Sequence, residues 1–172
     1  MAASVSAPAS PAHPSGAPAA PSVDVVLIEP QIPPNTGNIA RLCAATGCRL
    51  ILVGALGFSL DDAHLKRAGL DYWEHVRWEH VPDVETFLAG RPTRALHLLS
   101  ARATLPYTRI PIQAGDCLVF GKETSGLGAA LLDRFPSQCY GIPMLEPRVR
   151  SLNLSSAVAI VVYDALRRLR KF

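Results

Sequence analysis

The 172-residue chain has few cysteines, and they are not paired in sequence. Cys43, Cys48, Cys117 and Cys139 form no C-x-x-C pair, which excludes the usual zinc and dithiol patterns and argues against a disulfide framework. Read as buried, inert thiols, they fit a reducing, cytoplasmic setting. The five histidines give no H-E-x-x-H or similar ligand spacing, so no metal is expected. No apolar run reaches the roughly 20 residues that span a bilayer, so no membrane partner is expected. Charge of one sign is scarce. Seventeen basic against 14 acidic residues leave +3, which permits a polyanionic partner such as RNA without demanding one. Two nucleotide-loop fingerprints are also missing. Gly121–Gly126 has G-x-x-x-x-G spacing, but Leu127-Gly128 stands where Lys-Ser/Thr is required, and the loop after the first apolar run has no G-x-G-x-x-G.

What is present divides into a tail and one domain. Residues 1–22 are mostly Ala, Pro and Ser, too poor in apolar surface to fold alone. They lack the basic start and unbroken apolar run of a secretory signal and the arginines of a mitochondrial presequence. A disordered tail at 1–22 and a single domain at 23–172 are expected, since domains run roughly 100–200 residues.

From Val23 onward strands and helices alternate. Apolar runs at Val23–Glu29, Arg49–Val53, Arg94–Leu99, Asp116–Phe120 and Gln138–Ile142 predict buried strands, with a further strand at Glu74–Trp78. Helices are expected at Ile39–Thr46, opened by Asn35-Thr36-Gly37-Asn38 after a rigid non-helical Pro30–Pro34 segment, then at Leu60–Ala68, Asp83–Ala89, Leu127–Asp133 and Asn153–Lys171. The stretch from Leu99 to about Gly115 reads as irregular. Continuous apolar strands signal burial on both faces, hence an α/β fold with a mostly parallel sheet flanked by helices. The last helix is apolar on nearly every side. A homodimer interface is the simplest cover for its second face, enclosure within one chain the alternative.

Three polar loops follow strands, at Pro30–Arg41, Gly121–Gly126 and Pro143–Asn153, and such loops gather at one end of a parallel sheet. The third leads from a strand end into a helix N-terminus whose free N–H groups can meet ligand oxygens. It carries Arg148, Arg150, Ser151 and Asn153. Each polar residue also has a plain reading: Asn35, Asn38, Ser151 or Asn153 as caps, Arg41 as a solvated helix residue, Glu123 as a turn residue.

Taken together, Asn35-Thr36-Gly37-Asn38-Ile39-Ala40-Arg41, Phe120-Gly121-Lys122-Glu123-Thr124-Ser125-Gly126-Leu127, and Ile142-Pro143-Met144 with Ser151-Leu152-Asn153-Leu154-Ser155 resemble the three motifs of the SPOUT class of RNA methyltransferases, in the order and spacing of its ribose 2′-O branch. Glu29-Pro30-Gln31-Ile32-Pro33 and Gly69-Leu70-Asp71-Tyr72 resemble its compact tRNA wobble-nucleotide subfamily. The likeness runs from about Val25 to Leu169. It implies a deep C-terminal trefoil knot, which no general folding rule predicts. It also implies S-adenosyl-L-methionine as cofactor and a homodimer with each active site near the interface. The implied reaction is 2′-O-methylation of the wobble cytidine or modified uridine in the tRNA anticodon stem-loop, with leucine isoacceptors as the expected substrates. The alternatives are another tRNA position, ribosomal RNA, or a non-catalytic RNA-binding dimer.

By position, Leu98, Gly121, Ile142 and Ser151 resemble the cofactor contacts, with Met144 and Leu152 lining the same pocket. Arg41 takes the leading catalytic role, as the base or part of it. Asn153 orients Arg41 or the ribose, Asn35 holds the first loop or the RNA, and Glu123 orders the second loop and meets the partner's arginine. Ser151 caps the last helix and touches the cofactor's tail. Arg148 and Arg150 are implied RNA-phosphate contacts, Tyr163 a dimer or RNA contact. A guanidinium titrates above about 12 and is a poor base near neutrality, so a phosphate-gripping fork is the safer role for Arg41. Leu99-Ser100-Ala101 departs from the pattern, since a more polar or basic run is expected there.

Overall fold

The computed structural model describes residues 23–58 and 73–171; the expected tail, the helix at Leu60–Ala68 and the Gly69–Tyr72 stretch lie outside them. Seven strands form one sheet: β1 (Asp24–Ile28), β2 (Arg49–Val53), β3 (Arg77–Val81), β4 (Leu96–Leu99), β5 (Leu105–Pro106), β6 (Cys117–Phe120) and β7 (Cys139–Gly141). Their order is β3-β2-β1-β6-β4-β7-β5, and every pairing is parallel. Four helices complete the described architecture: α1 (Pro33–Thr46), α2 (Val84–Ala89), α3 (Ala129–Arg134) and α4 (Leu154–Arg168).

Strand alternation builds a core on each face of the sheet. Val25 and Leu27 of β1, Leu50 and Leu52 of β2, Leu118 and Phe120 of β6 and Tyr140 of β7 pack with α1 and α4. Val26, Ile28, Ile51, Val53, Leu96, Leu98 and Val119 point the other way, against Phe87 near the end of α2 and Leu127 and Phe135 flanking α3. The central strands are buried at every position, so they read as unbroken apolar runs. All four cysteines are free thiols, three of them buried. Burial pushes the Cys43 thiol well up and that of Cys117 to about 11, which leaves them inert.

Several boundaries differ from expectation. Helix α1 begins at Pro33, inside the stretch read as non-helical, because proline needs no N–H partner in a first turn and its φ suits a helix. Its end follows expectation, at Gly47 with φ 69°. The strand expected at Glu74–Trp78 begins as a 3₁₀ turn, Trp73–His75, and becomes β3 only at Arg77. The irregular stretch contains β5, two residues long and the sheet's edge. The last helix buries Val158, Val161, Val162, Ala165 and Leu166 but leaves Ile160 and Tyr163 exposed.

At the strands' starts the sheet carries a buried charge. Asp24 opens β1 and is 2% exposed; its cross-strand partner in register is Arg49. The Arg49 Nε donates to Asp24 Oδ1 at 3.1 Å, and Nη2 bonds Oδ2. Arg49→Ala would strand this carboxylate. The variant is expected to lose about 3 kcal/mol, the lower end of what an uncompensated buried charge costs, because Arg49 is partly solvated. Chemical denaturation of both proteins at neutral pH measures this; a change below 0.5 kcal/mol would show that water reaches Asp24.

Candidate functional site

The sheet order reverses between β1 and β6, and a cleft of about 600 Å³ opens beyond the strands' C-terminal ends nearby. Crevices of this kind are where open α/β sheets take ligands. Four connections build it: the entry to α1, the loop after β6, the turn after β4, and the loop from β7 to α4. Its apolar wall includes Phe120, Tyr140, Ile142, Met144, Leu152 and Ala157; Ser100, Thr124, Ser151 and Asn153 add hydrogen-bonding groups.

One polar chain ties three of these connections together. The Glu123 carboxylate, after β6, accepts from the Gln31 and Ile32 backbone N–H groups at 3.0 and 3.2 Å and from Asn35 Nδ2 at 3.1 Å. An ionised carboxylate only accepts, so Asn35 must turn its NH₂ towards it. Its Oδ1 is then left to accept from Asn153 Nδ2, at 2.9 Å. Asn153 in turn is left with Oδ1, which accepts from Ser155 N at 2.9 Å and Ser155 Oγ at 2.7 Å and so caps α4. Asn35 is only 6% exposed, and a buried amide with both ends satisfied is worth conserving as a unit. Thr124 adds a bond to the Gln31 side chain at 2.7 Å.

The loop after β6 is closed by a bridge between Lys122 and Gly126. A Cβ on Gly121 would collide with the backbone of Gly126 and Leu127, so only glycine allows this closure. Lys122 is ion-paired with Glu29, a non-glycine residue held at φ 47°. Such conformations cost about 1–3 kcal/mol and cluster at working sites.

The expected cofactor residues Gly121, Ile142, Met144, Ser151 and Leu152 all line the cleft, with Asn35, Glu123, Asn153 and Arg150. Leu98 does not. It is 1% exposed in the core on the α2–α3 face, and Leu99, next along β4 and of opposite parity, lines the cleft instead. Arg41 is exposed on α1 and also lies outside the lining. Asn153 reaches Asn35. Asn153, not Ser151, caps α4, and Glu123 holds the first loop as well as its own. Arg148 is engaged with Glu146 at 2.7 and 3.0 Å, and Tyr163 sits half-exposed on α4. Two cleft cations were not expected, Arg102 and Lys122. Arg102 directly follows Leu99-Ser100-Ala101, the stretch where a more polar or basic run is expected. Among the described residues no group of three or more His, Cys, Asp or Glu could hold a metal, and no helix is long and apolar enough to cross a membrane.

Burial opposes the Glu123 charge, but the Gln31, Asn35 and Ile32 donors outweigh it and hold the carboxyl below its ordinary value. A depressed carboxyl pKa contributes stability above its unfolded value, lost as pH falls through the folded one. Glu123→Gln should lower Tm by about 2–4 °C at pH 7, near 1 kcal/mol for this partly solvated clamp. The gap should close as pH drops below the usual glutamate range. Thermal melts of both proteins across pH 3–7 (a range of about 4 units) read this; an undiminished gap at the acid end would rule out the charge as its source.

Comparison with known proteins places the chain. The model of the SpoU rRNA methylase family matches residues 22–163. A tRNA (cytidine(34)-2′-O)-methyltransferase of Yersinia pestis is 48% identical over 154 residues, covering 86% of this chain and 94% of that protein. The protein of that name from Escherichia coli K12 is 47% identical over 148 residues, with the same coverage. A solved structure concerning 2-OH methylation of C/U34 on tRNA aligns with TM-score 0.79 at 43% identity, covering 86% of this chain and 91% of that one. An AdoMet-bound rRNA methyltransferase from Sinorhizobium meliloti aligns with TM-score 0.74 at 25% identity, covering 88% of this chain and 58% of that one. The chain belongs to the SpoU rRNA methylase family.

Proposed function

We propose that the protein methylates the ribose 2′-hydroxyl of the wobble nucleotide of tRNA, cytidine or modified uridine at position 34, with S-adenosyl-L-methionine as methyl donor. The observation that carries this reading is the near-full-length identity to relatives named for that reaction, on a chain whose three motif loops converge on one cleft. The cleft suits the cofactor: it offers an apolar wall for an aromatic base and hydroxyl and amide groups for a polar tail. Gly121, Ile142, Met144, Ser151 and Leu152 are the residues that would hold it. When bound, S-adenosylmethionine supplies an electrophilic methyl group.

The protein's part is to place the hydroxyl in line and keep water out, which is worth up to roughly 7–11 kcal/mol of barrier. Asn35, Glu123 and Asn153 act here as positioning residues, fixing three walls relative to one another. Arg41 is the proposed catalytic group, gripping as a fork the phosphate beside the target ribose, which takes up the 2′-hydroxyl proton, and stabilising the negative charge that develops on the 2′-oxygen. Because Arg41 does not line its own chain's cleft, a homodimer in which it serves the second copy's site fits this role. The exposed Ile160 and Tyr163 on α4 are suited to the dimer surface or to RNA. Arg150, at the cleft, is a better RNA-phosphate contact than Arg148, whose charge Glu146 already meets. The same reading includes a trefoil knot in the segment running into α4, a cytoplasmic location, one SPOUT domain over 23–172, and leucine isoacceptors as substrates.

Transfer of labelled methyl into tRNA lacking this mark, followed by nucleoside mapping, tests the reading. A 2′-O-methyl mark at the wobble position of leucine isoacceptors is the expected result. Label elsewhere in tRNA or in ribosomal RNA would move the substrate, and cofactor binding without transfer would favour a non-catalytic RNA-binding dimer. Arg41→Ala should lower kcat at least about 100-fold with cofactor affinity and Tm unchanged; loss of either would assign Arg41 to folding or to the cofactor pocket.

A further inference from the structure

A cleft that receives a ribose 2′-hydroxyl must also receive the 3′-phosphate of the same nucleotide, whose charge needs a partner. Three described cations line the cleft: Arg102, Lys122 and Arg150. Lys122 is already held by Glu29. The carboxylate lining the cleft, Glu123, is taken up by three N–H donors and neutralises neither arginine. Elsewhere Arg49, Arg91, Arg134, Arg148, Arg167 and Arg168 each hold a carboxylate. The guanidinium groups of Arg102 and Arg150 have no such pair or bond among the described residues.

Arg102 is also built into place. Ser100 N donates to Tyr140 O at 2.9 Å, tying the turn after β4 to β7. Ser100 Oγ accepts from Arg102 N at 3.2 Å, and Ser100 O from Ala103 N at 3.2 Å. The turn packs so closely on β7 that a Cβ on Gly141 would lie 2.8 Å from Ala103 O and 3.0 Å from Ser100 O. A turn fixed by side-chain and main-chain bonds and by a bare glycine aims an unneutralised guanidinium at the cleft.

We infer that Arg102, with Arg150, binds a phosphodiester of the RNA backbone beside the target ribose. The inference deepens the reading above and rests on it. Both arginines are exposed at the cleft rim, where a polymer backbone can reach them, and this favours phosphate over the enclosed carboxylate of the cofactor. Guanidinium groups offer the bidentate fork that such oxygens take.

The test measures affinity for unmethylated tRNA between about 50 and 200 mM salt, affinity for S-adenosylhomocysteine, and methyl-transfer kinetics. Arg102→Ala should weaken tRNA binding about tenfold and lower the slope of log affinity against log salt by about one. KM for tRNA should rise with kcat within about threefold and cofactor affinity unchanged. Arg102→Lys should keep the slope while losing part of the affinity, because the charge stays and the fork goes. Arg109→Ala removes an exposed arginine outside the cleft and should change tRNA affinity less than about twofold. Weaker cofactor binding with tRNA affinity intact would make Arg102 a carboxylate ligand. An unchanged slope, or an equal loss in Arg109→Ala, would overturn the inference while leaving the proposed reaction standing. A wild-type protein that binds cofactor but neither binds nor methylates tRNA would instead bring down the proposed reaction itself.

Discussion

A carboxylate cannot donate a hydrogen bond, and much of this site's geometry follows from that one fact. Glu123 fixes which way Asn35 faces, Asn35 fixes Asn153, and Asn153 is left with the oxygen that caps α4. The bonds span sequence separations of 88 and 118 residues. No local preference could bring these groups together; the sheet must already be assembled. The chain of amides therefore works as a register lock, setting the first, second and third loops at one spacing once the strands have paired. Its members are partly shielded, so each bond is stronger than in water and each orphaned partner more costly.

The sheet makes such a lock possible because all its strands run one way and its order reverses beside β1 and β6. Loops that follow parallel strands emerge at the same end, and on the two sides of the reversal they diverge, leaving a crevice. Strain is tolerated there. Glu29 adopts a left-handed backbone at the end of β1 while its carboxylate holds Lys122 at the start of the second loop. The buried strands β1 and β2, packed on both faces, supply the stability against which that strain is held.

What could be read in sequence and what could not divide along physical lines. The parallel α/β class followed from unbroken apolar runs, since burial on both faces removes alternation. The convergence of the three loops followed from their placement after strands. Parity did not follow. Leu98 and Leu99 are equally apolar, and only the register with β6 shows that Leu98 enters the core while Leu99 faces the cleft. Pro33 and Pro34 misled as to where α1 begins, because proline disfavours a helix interior yet suits its first turn. Ser151 and Asn153 are both good caps in isolation, and the bond to Asn35 selects Asn153. Arg102 was hidden by the apolar residues before it. The turn that carries it is held by contacts of Ser100 and Ala103 with Tyr140 and Gly141, remote in sequence.

Net charge, too, was a poor guide, for a reason the structure makes plain. A total of +3 describes a solvent-averaged object, whereas a ligand meets only the charge left after local pairing. Six of the described arginines are ion-paired with carboxylates, including pairs at β1–β2, between α2 and α3, and along α4. In the cleft the same cancellation removes Lys122 against Glu29, and Glu123 against backbone donors. What survives is two guanidinium groups on one rim. A mildly basic protein thus presents a concentrated cationic edge beside its polar lock, and the arrangement depends on where carboxylates are absent as much as on where arginines stand.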